Sequence, residues 1–311
     1  MKLDLPPFSD GVSLCHKELL EYRGRNALID LSSRRHIKSH MAGSLLAKTK
    51  GRGMEFEEAR HYQIGDDIRA IDWRVTARTG KVHTKIYREE RERPVYVMVD
   101  LNPNLYFGSQ LLLKSVQACH VAALIGWSAV ANGDRIGALL CNSLEHRELK
   151  PRNRHHGVLA LIDYLVRIHN QGLEHFKTNQ TGVNSFEQSC SRLRRVVKPG
   201  SLVFLISDFN QISDKAVKQL QHLGRHNEII GCQINDPLDH QLPRDLSGSF
   251  AVTDGQVRQQ FMVNPKQRTE YQRNALNHQQ QQLSLLQKLN IATLNFSSHL
   301  PLLPQIKRPQ Q

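Results

Sequence analysis

Residues Gly51 to Asp100 read GRGMEFEEARHYQIGDDIRAIDWRVTARTGKVHTKIYREERERPVYVMVD. The last five residues of that run are an apolar strand, Tyr96-Val97-Met98-Val99, delivering a carboxylate, Asp100. A buried strand that carries an acid at its carboxyl edge is how open α/β sheets build a ligand site. The polar run before it interleaves both charge signs around apolar anchors, as Asp66-Asp67-Ile68-Arg69 and Asp72-Trp73-Arg74, with turn glycines at Gly53, Gly65 and Gly80. That pattern points to a fixed ion-pair network.

Downstream of Tyr96, strands and helices alternate, the mark of an α/β sheet. The apolar runs place strands at residues 96–100, 135–141, 201–207, 228–234 and 291–296, with 144–149 as an antiparallel edge after the Asn142-Ser143 turn. Helices are expected over 109–131, 157–168, 186–197, 214–226 and 266–289, with a polar loop at 170–184 and a hairpin between Gly248 and Val263. Upstream, Glu55–Tyr62 and Val82–Tyr87 read as short strands. The resulting division is residues 1–50 as a helix and connector, 51–94 as a β-rich subdomain, 95–297 as the α/β domain and 298–311 as a flexible tail.

The spaced identities Gly51, Gly53, Glu55, Phe56, Arg60, Tyr62, Gly65, Asp66, Arg69, Asp72, Trp73, Ala77, Arg78, Glu90 and Arg91 resemble bacterial domain-of-unknown-function family fifty-eight. Ile206-Ser207-Asp208-Phe209, Asp236-Pro237 and Leu242-Pro243 echo it further on, so the resemblance runs from about residue 40 to about residue 275. Members of that family are similar to von Willebrand factor A domains and often accompany MoxR-type AAA+ ATPases. The resemblance therefore implies a von Willebrand factor A-like, Rossmann-type, open and mostly parallel sheet flanked by helices, with an N-terminal β-rich subdomain. It also implies a protein-interaction module that works with such an ATPase in assembling or maturing another protein complex.

Metal-binding von Willebrand A domains use Asp-x-Ser-x-Ser after the first strand, a Thr on a second loop and an Asp after a later strand. The matching positions here are Asp100, Asn102, Asn104, Asn184 and Asp208, so amides replace the hydroxyls. An Asn carbonyl is a hard oxygen donor that can hold Mg²⁺, which leaves a degenerate metal site as one reading. The other has Asp100, Asn102 and Asn104 closing a turn around Pro103 without metal. For Arg60, Tyr62, Gly65, Asp66, Arg69, Asp72, Trp73 and Arg78 the two readings are a salt-bridge cluster and a docking surface anchored by Trp73.

Composition narrows the class. The 311 residues suffice for one large or two modest cores. The start, MKLDLPPFSD, resembles no signal peptide, and the apolar window 111–131 is broken by Lys114, Gln117 and His120, so a soluble cytoplasmic protein is expected. Five scattered cysteines show no C-x-x-C spacing, which argues for reduced thiols. The net charge of +13 raises a nucleic-acid-associated protein as the alternative function. The excess lies outside the motif block, however: residues 51–95 hold ten Lys+Arg against nine Asp+Glu. Aromatics at 6% are also few for base stacking. Among enzymatic patterns, neither a P-loop nor G-x-S-x-G occurs, and His36/His40 and His222/His226 lack the Glu of H-E-x-x-H, so no catalysis is expected.

Overall fold

The structure, a computed structural model, describes residues 4–25, 54–63, 66–89, 93–178, 182, 185–210, 212–243, 246, 248–253 and 258–307. They fall into two compact units, residues 4–25 with 93–307, and residues 54–89. In chain order the elements are α1 (His16–Leu20), β1 (Met54–His61), α2 (Trp73–Thr79), β2 (His83–Glu89), β3 (Pro94–Leu101), α3 (Lys114–Ala131) and β4 (Arg135–Asn142). There follow β5 (His146–Arg152), α4 (Arg154–Lys177), α5 (Phe186–Val196), β6 (Leu202–Ser207), α6 (Asp214–Gly224) and β7 (Glu228–Asn235). The chain continues through β8 (Gly248–Thr253), β9 (Arg258–Val263), α7 (Pro265–Lys288), β10 (Ala292–Ser297) and α8 (Leu302–Lys307).

The large unit is built on a sheet of order β10-β7-β6-β3-β4-β5, parallel except for the antiparallel edge β5. β3 and β6 are apolar on both faces and buried throughout the shared ladder, as strands covered by helices on two sides must be. This is a doubly wound, open and mostly parallel α/β sheet flanked by helices, the architecture that the resemblance implied. The register sets Val99 beside Ile206 and Ser207 beside Gln233, so the carboxyl ends of β3, β6 and β7 finish level. The chain reverses direction across the sheet between β3 and β6, which makes that end the topological switch point.

α3 is apolar nearly all round and buried from Lys114 to Ala129, the behaviour of a central helix. Its Gly126 lies so close to Val158 and Leu161 of α4 that a Cβ would meet Leu161 at 2.9 Å. The N-terminal segment is fastened to α3 by a buried polar chain. His120 Nε2 lies 3.1 Å from Glu18, His120 Nδ1 lies 3.0 Å from the Tyr22 hydroxyl, and Trp127 donates to the Leu19 carbonyl.

Three of the differences from expectation have a tertiary reason. α4 runs on through the supposed loop to Lys177, because Leu173 is buried and Asn170 bonds the backbone of Leu14 rather than opening a turn. α3 starts at Lys114 rather than Ser109, since Leu112 and Leu113 donate their N–H groups to Ser298 and Gly11. The expected loose tail is packed over residues 298–307: Ser298 is buried and bonded to Asp236, and Leu302 enters the core.

In the small unit β1 and β2 pair antiparallel with an irregularity between Phe56 and Glu58, and α2 follows a short 3₁₀ turn, Ile68–Ala70. Gly80 closes α2 at φ 68°, a left-handed conformation that only glycine adopts without strain. Among the described residues no helix is long and apolar enough to cross a membrane.

One buried group makes the fold pH-sensitive. His169 on α4 is fully buried between Ser115 and Asn170, and burial pushes its pKa down from 6.5 to about 4. The folded chain thus keeps it neutral while the unfolded chain protonates it below about pH 6.5. Its contribution is constant above that pH and falls as pH drops towards 4, by at most about 1.4 kcal/mol per pH unit. Urea unfolding at a series of pH values should show wild type losing stability relative to His169→Gln across that window. Parallel profiles for the two proteins would remove His169 from this role.

Candidate functional site

The carboxyl ends of β3, β6 and β7 place Asp100, Asp208 and Gln233 at one edge of the sheet. Asp100 is 3% exposed. One of its oxygens accepts from Ser207 Oγ at 2.9 Å and the other from the Asn102 side-chain amide. Burial and the neighbouring Asp208 charge push its pKa up to about 7, against hydrogen bonds that pull it down. Asn104 sits half-buried in the 3₁₀ turn Pro103–Leu105. Asn184 lies outside the described residues.

Asp208 has a different neighbour. The ammonium of Lys114, the first residue of α3, lies 3.5 Å from Asp208 Oδ2 and 3.2 Å from Asp239 Oδ2, with the lysine side chain only 3% exposed. A cation at a helix N-terminus opposes the macrodipole, and a buried one also loses hydration. Lys114 is tenable there because two carboxylates converge on it. Asp208 further accepts from the backbone and side-chain amides of Asn210. The turn between them holds Phe209 at φ 56°, a left-handed conformation for a non-glycine residue that costs on the order of 1–3 kcal/mol. It is held by Gln282 of α7, which donates to the Phe209 carbonyl, and by the burial of the Phe209 ring at an edge-on angle to Phe186.

Asp236, just beyond β7, pins the surroundings. It accepts from Ser109 N, Ser298 Oγ and Leu238 N. Burial pushes its pKa up, but those hydrogen bonds outweigh it and hold the carboxyl below the ordinary value. The Asp236-Pro237 echo therefore marks the residue that ties three segments together.

The arrangement does not fit an octahedral divalent cation. Mg²⁺ needs oxygen donors at about 2.0–2.1 Å. Here Asp100 is turned to Ser207 and an amide NH₂, and an ammonium, which has no lone pair, occupies the approach to Asp208. Among the described residues no three His, Cys, Asp or Glu side chains group as a metal site. Lys114 entered the sequence reading only as a residue that breaks an apolar window. The signal it carried was that a lysine inside an apolar helix needs a buried acid partner.

In the small unit, Asp66 pairs with Arg60 at 2.7 Å and also accepts from Gln63 N. The Gln63 amide, then Arg60, hold its pKa below the ordinary carboxylate value. Asp72 caps α2 by accepting from Arg74 N and Val75 N, and Lys85 lies 3.9 Å away. Arg69, Arg74 and Arg78 are exposed, and among the described residues none of the three pairs with either aspartate, so the expected cluster is reduced to the Arg60–Asp66 pair, a longer Lys85–Asp72 pair and one helix cap. Tyr62 is half-buried, and Gly65 lies outside the described residues. Trp73 is 67% exposed and Ile68 66%, so neither belongs to the buried core.

The fold and site thus define a doubly wound α/β protein whose crevice carries a lysine among carboxylates. Over residues 58–281 the chain matches the family described as "Protein of unknown function DUF58", and it belongs to that family. An uncharacterized protein of Mycobacterium tuberculosis strain H37Rv is 27% identical over 256 residues, spanning 80% of this chain and 76% of its own. An uncharacterized protein of Mycobacterium bovis matches to the same extent. Among solved structures, BatB from Bacteroides thetaiotaomicron aligns at 10% identity over 68% of this chain and 93% of its own, with a TM-score of 0.40. An aerotolerance-related membrane protein from Bacteroides fragilis aligns at 15% identity over 64% and 98%, with a TM-score of 0.35. At these scores the fold rests on the strand order itself.

Two stability measurements check the assignments. Lys114→Met leaves buried carboxylate charge uncompensated and should cost about 3–5 kcal/mol in denaturant unfolding. Adding Asp208→Asn should recover part of that loss, and strict additivity of the two changes would deny the pair. Asp72→Ala, which removes a cap, should cost about 0.5–2 kcal/mol.

Proposed function

We propose that this protein is a non-enzymatic interaction module that docks another protein at the crevice around Asp100, Asn104 and Asp208, with Trp73 and its neighbours as a further contact. The observation that carries the reading is the Lys114–Asp208–Asp239 group at the switch point of the sheet, where open α/β folds bind ligands. The exposed Trp73 and Ile68 supply the apolar anchor that interface hot spots use. The partner is a MoxR-type AAA+ ATPase, and the joint task is the assembly or maturation of another protein complex; both come from the family resemblance. The docking is independent of metal.

Two of the buried thiols are poor candidates for cysteine chemistry. Burial pushes Cys141 up to about 12 and Cys119 well above its ordinary value, so neither is a nucleophile at neutral pH.

Affinity capture with the full-length tagged chain, followed by identification of bound ATPases, tests the reading. Capture of a MoxR-type ATPase should survive EDTA and should drop at least about tenfold with Trp73→Ala in folded protein. Loss of capture on EDTA treatment would contradict the metal-independent docking. Salt-sensitive binding to nucleic acid with no protein partner would replace the whole reading.

A further inference from the structure

We infer that the small cleft beside Asp208 receives a basic side chain, a lysine ammonium or an arginine guanidinium, presented by the partner protein. This deepens the docking reading above and rests on it. The cleft, about 40 Å³ in volume, is lined among others by Asp208, Asn210, Gln233, Asp239, His278 and Gln282. Asp239 and His278 also line a wider groove of about 440 Å³ that runs past Glu270 and Tyr271 of α7, room for a peptide segment whose side chain enters the cleft.

The chemistry of the occupant follows from the amides. Gln282 Nε2 donates to the Phe209 carbonyl at 3.0 Å, and a carbonyl can only accept. That fixes Gln282 Oε1 towards Gln233, whose Nε2 donates to it at 3.1 Å. Gln233 is 2% exposed, and its Oε1 is left buried with no donor. A buried acceptor without a donor is rare and needs a partner. Asp208 and Asp239 line the same cleft as Gln233, the latter aspartate with its side chain 30% exposed. Lys114 is enclosed by both carboxylates and presents no free positive charge to an incoming anion. The lining therefore offers an amide oxygen and carboxylate oxygens and calls for a group that only donates. Lysine and arginine heads are such groups, with three and five N–H donors. His240 and His278 also line the cleft and can adjust as donors or acceptors.

The test uses fluorescein-labelled peptide pools, randomised except for a central Arg, Lys, Gln or Glu, titrated against the full chain by fluorescence anisotropy. The Arg and Lys pools should bind roughly tenfold tighter than the Gln and Glu pools. Bulk electrostatics would give the opposite order, because the chain carries a net charge of +13. Asp239→Asn and Glu270→Gln should each reduce the preference at least about threefold. Glu270 is exposed on α7 and lines the groove that leads to the cleft, so that variant reads the approach of a basic segment even where Asp239→Asn fails to fold. No preference for basic over Gln pools overturns the inference, as a cleft holding only water would give. So does a preference unchanged in Glu270→Gln and in folded Asp239→Asn. If an ATPase is captured while the pools show no basic preference, the docking reading stands and this inference falls. If basic pools bind and no ATPase is captured, the reverse holds.

Discussion

A single ammonium group organises the carboxyl end of this sheet. Lys114 is the first residue of the most deeply buried helix, where both desolvation and the helix dipole disfavour a positive charge. Two carboxylates from separate connections, Asp208 after β6 and Asp239 after β7, converge on it and offset that cost. Asp208 precedes the left-handed turn at Phe209, Asp239 closes the 3₁₀ turn Pro237–Asp239, and Asp236 at the head of that turn fastens Ser109 and Ser298. The crevice is thus shaped by a cation that belongs to the chain. A bound metal would assemble comparable loops only when present, whereas a lysine side chain does so whenever the protein is folded.

Much of the sheet was legible because its strands are short runs of β-branched and apolar residues punctuated by turn residues, as in Tyr96–Asp100 and Ser201–Ser207. The misread elements share one cause. Asn170 and Gly172 carry a local loop signal, yet Asn170 is satisfied by Leu14 and Gly172 lies against the Tyr106 hydroxyl, so α4 continues. Ser298 and the prolines after it look like a frayed end, yet Asp236 takes the Ser298 hydroxyl. In each case a polar residue that advertises solvent in the linear sequence is answered by a partner far away in the chain. Local patterns carry no information on such partners.

The site was half legible for the same reason. Asp100 and Asp208 follow apolar strands, which is a positional signal. Lys114, Asp239 and Gln233 lie on three different elements and acquire meaning only through each other. The charged block of the small unit shows the complementary error. Its alternating acids and arginines read as a network, but Asp72 is consumed by a helix cap and Arg69 and Arg78 extend into solvent. A dense charge pattern therefore marks capping and turn geometry as readily as ion pairing.

Replacing a divalent cation by an ammonium inverts what the crevice recognises. An octahedral metal held by a few protein ligands keeps an open coordination position, and an acidic group of the partner completes it. An ammonium has at most three donors, and those of Lys114 are directed at Asp208 and Asp239. No positive valence is left over, while the carboxylates retain lone pairs on their outer side and Gln233 adds an unanswered acceptor. The same loops on the same fold then favour a donor over an acceptor. In a chain with an overall charge of +13, that preference runs against the net charge, which opposes the approach of basic groups in general. Selectivity of this kind comes from the contrast between the site and its surroundings, and it is strongest for a basic residue that reaches the cleft on a segment long enough to lie along α7.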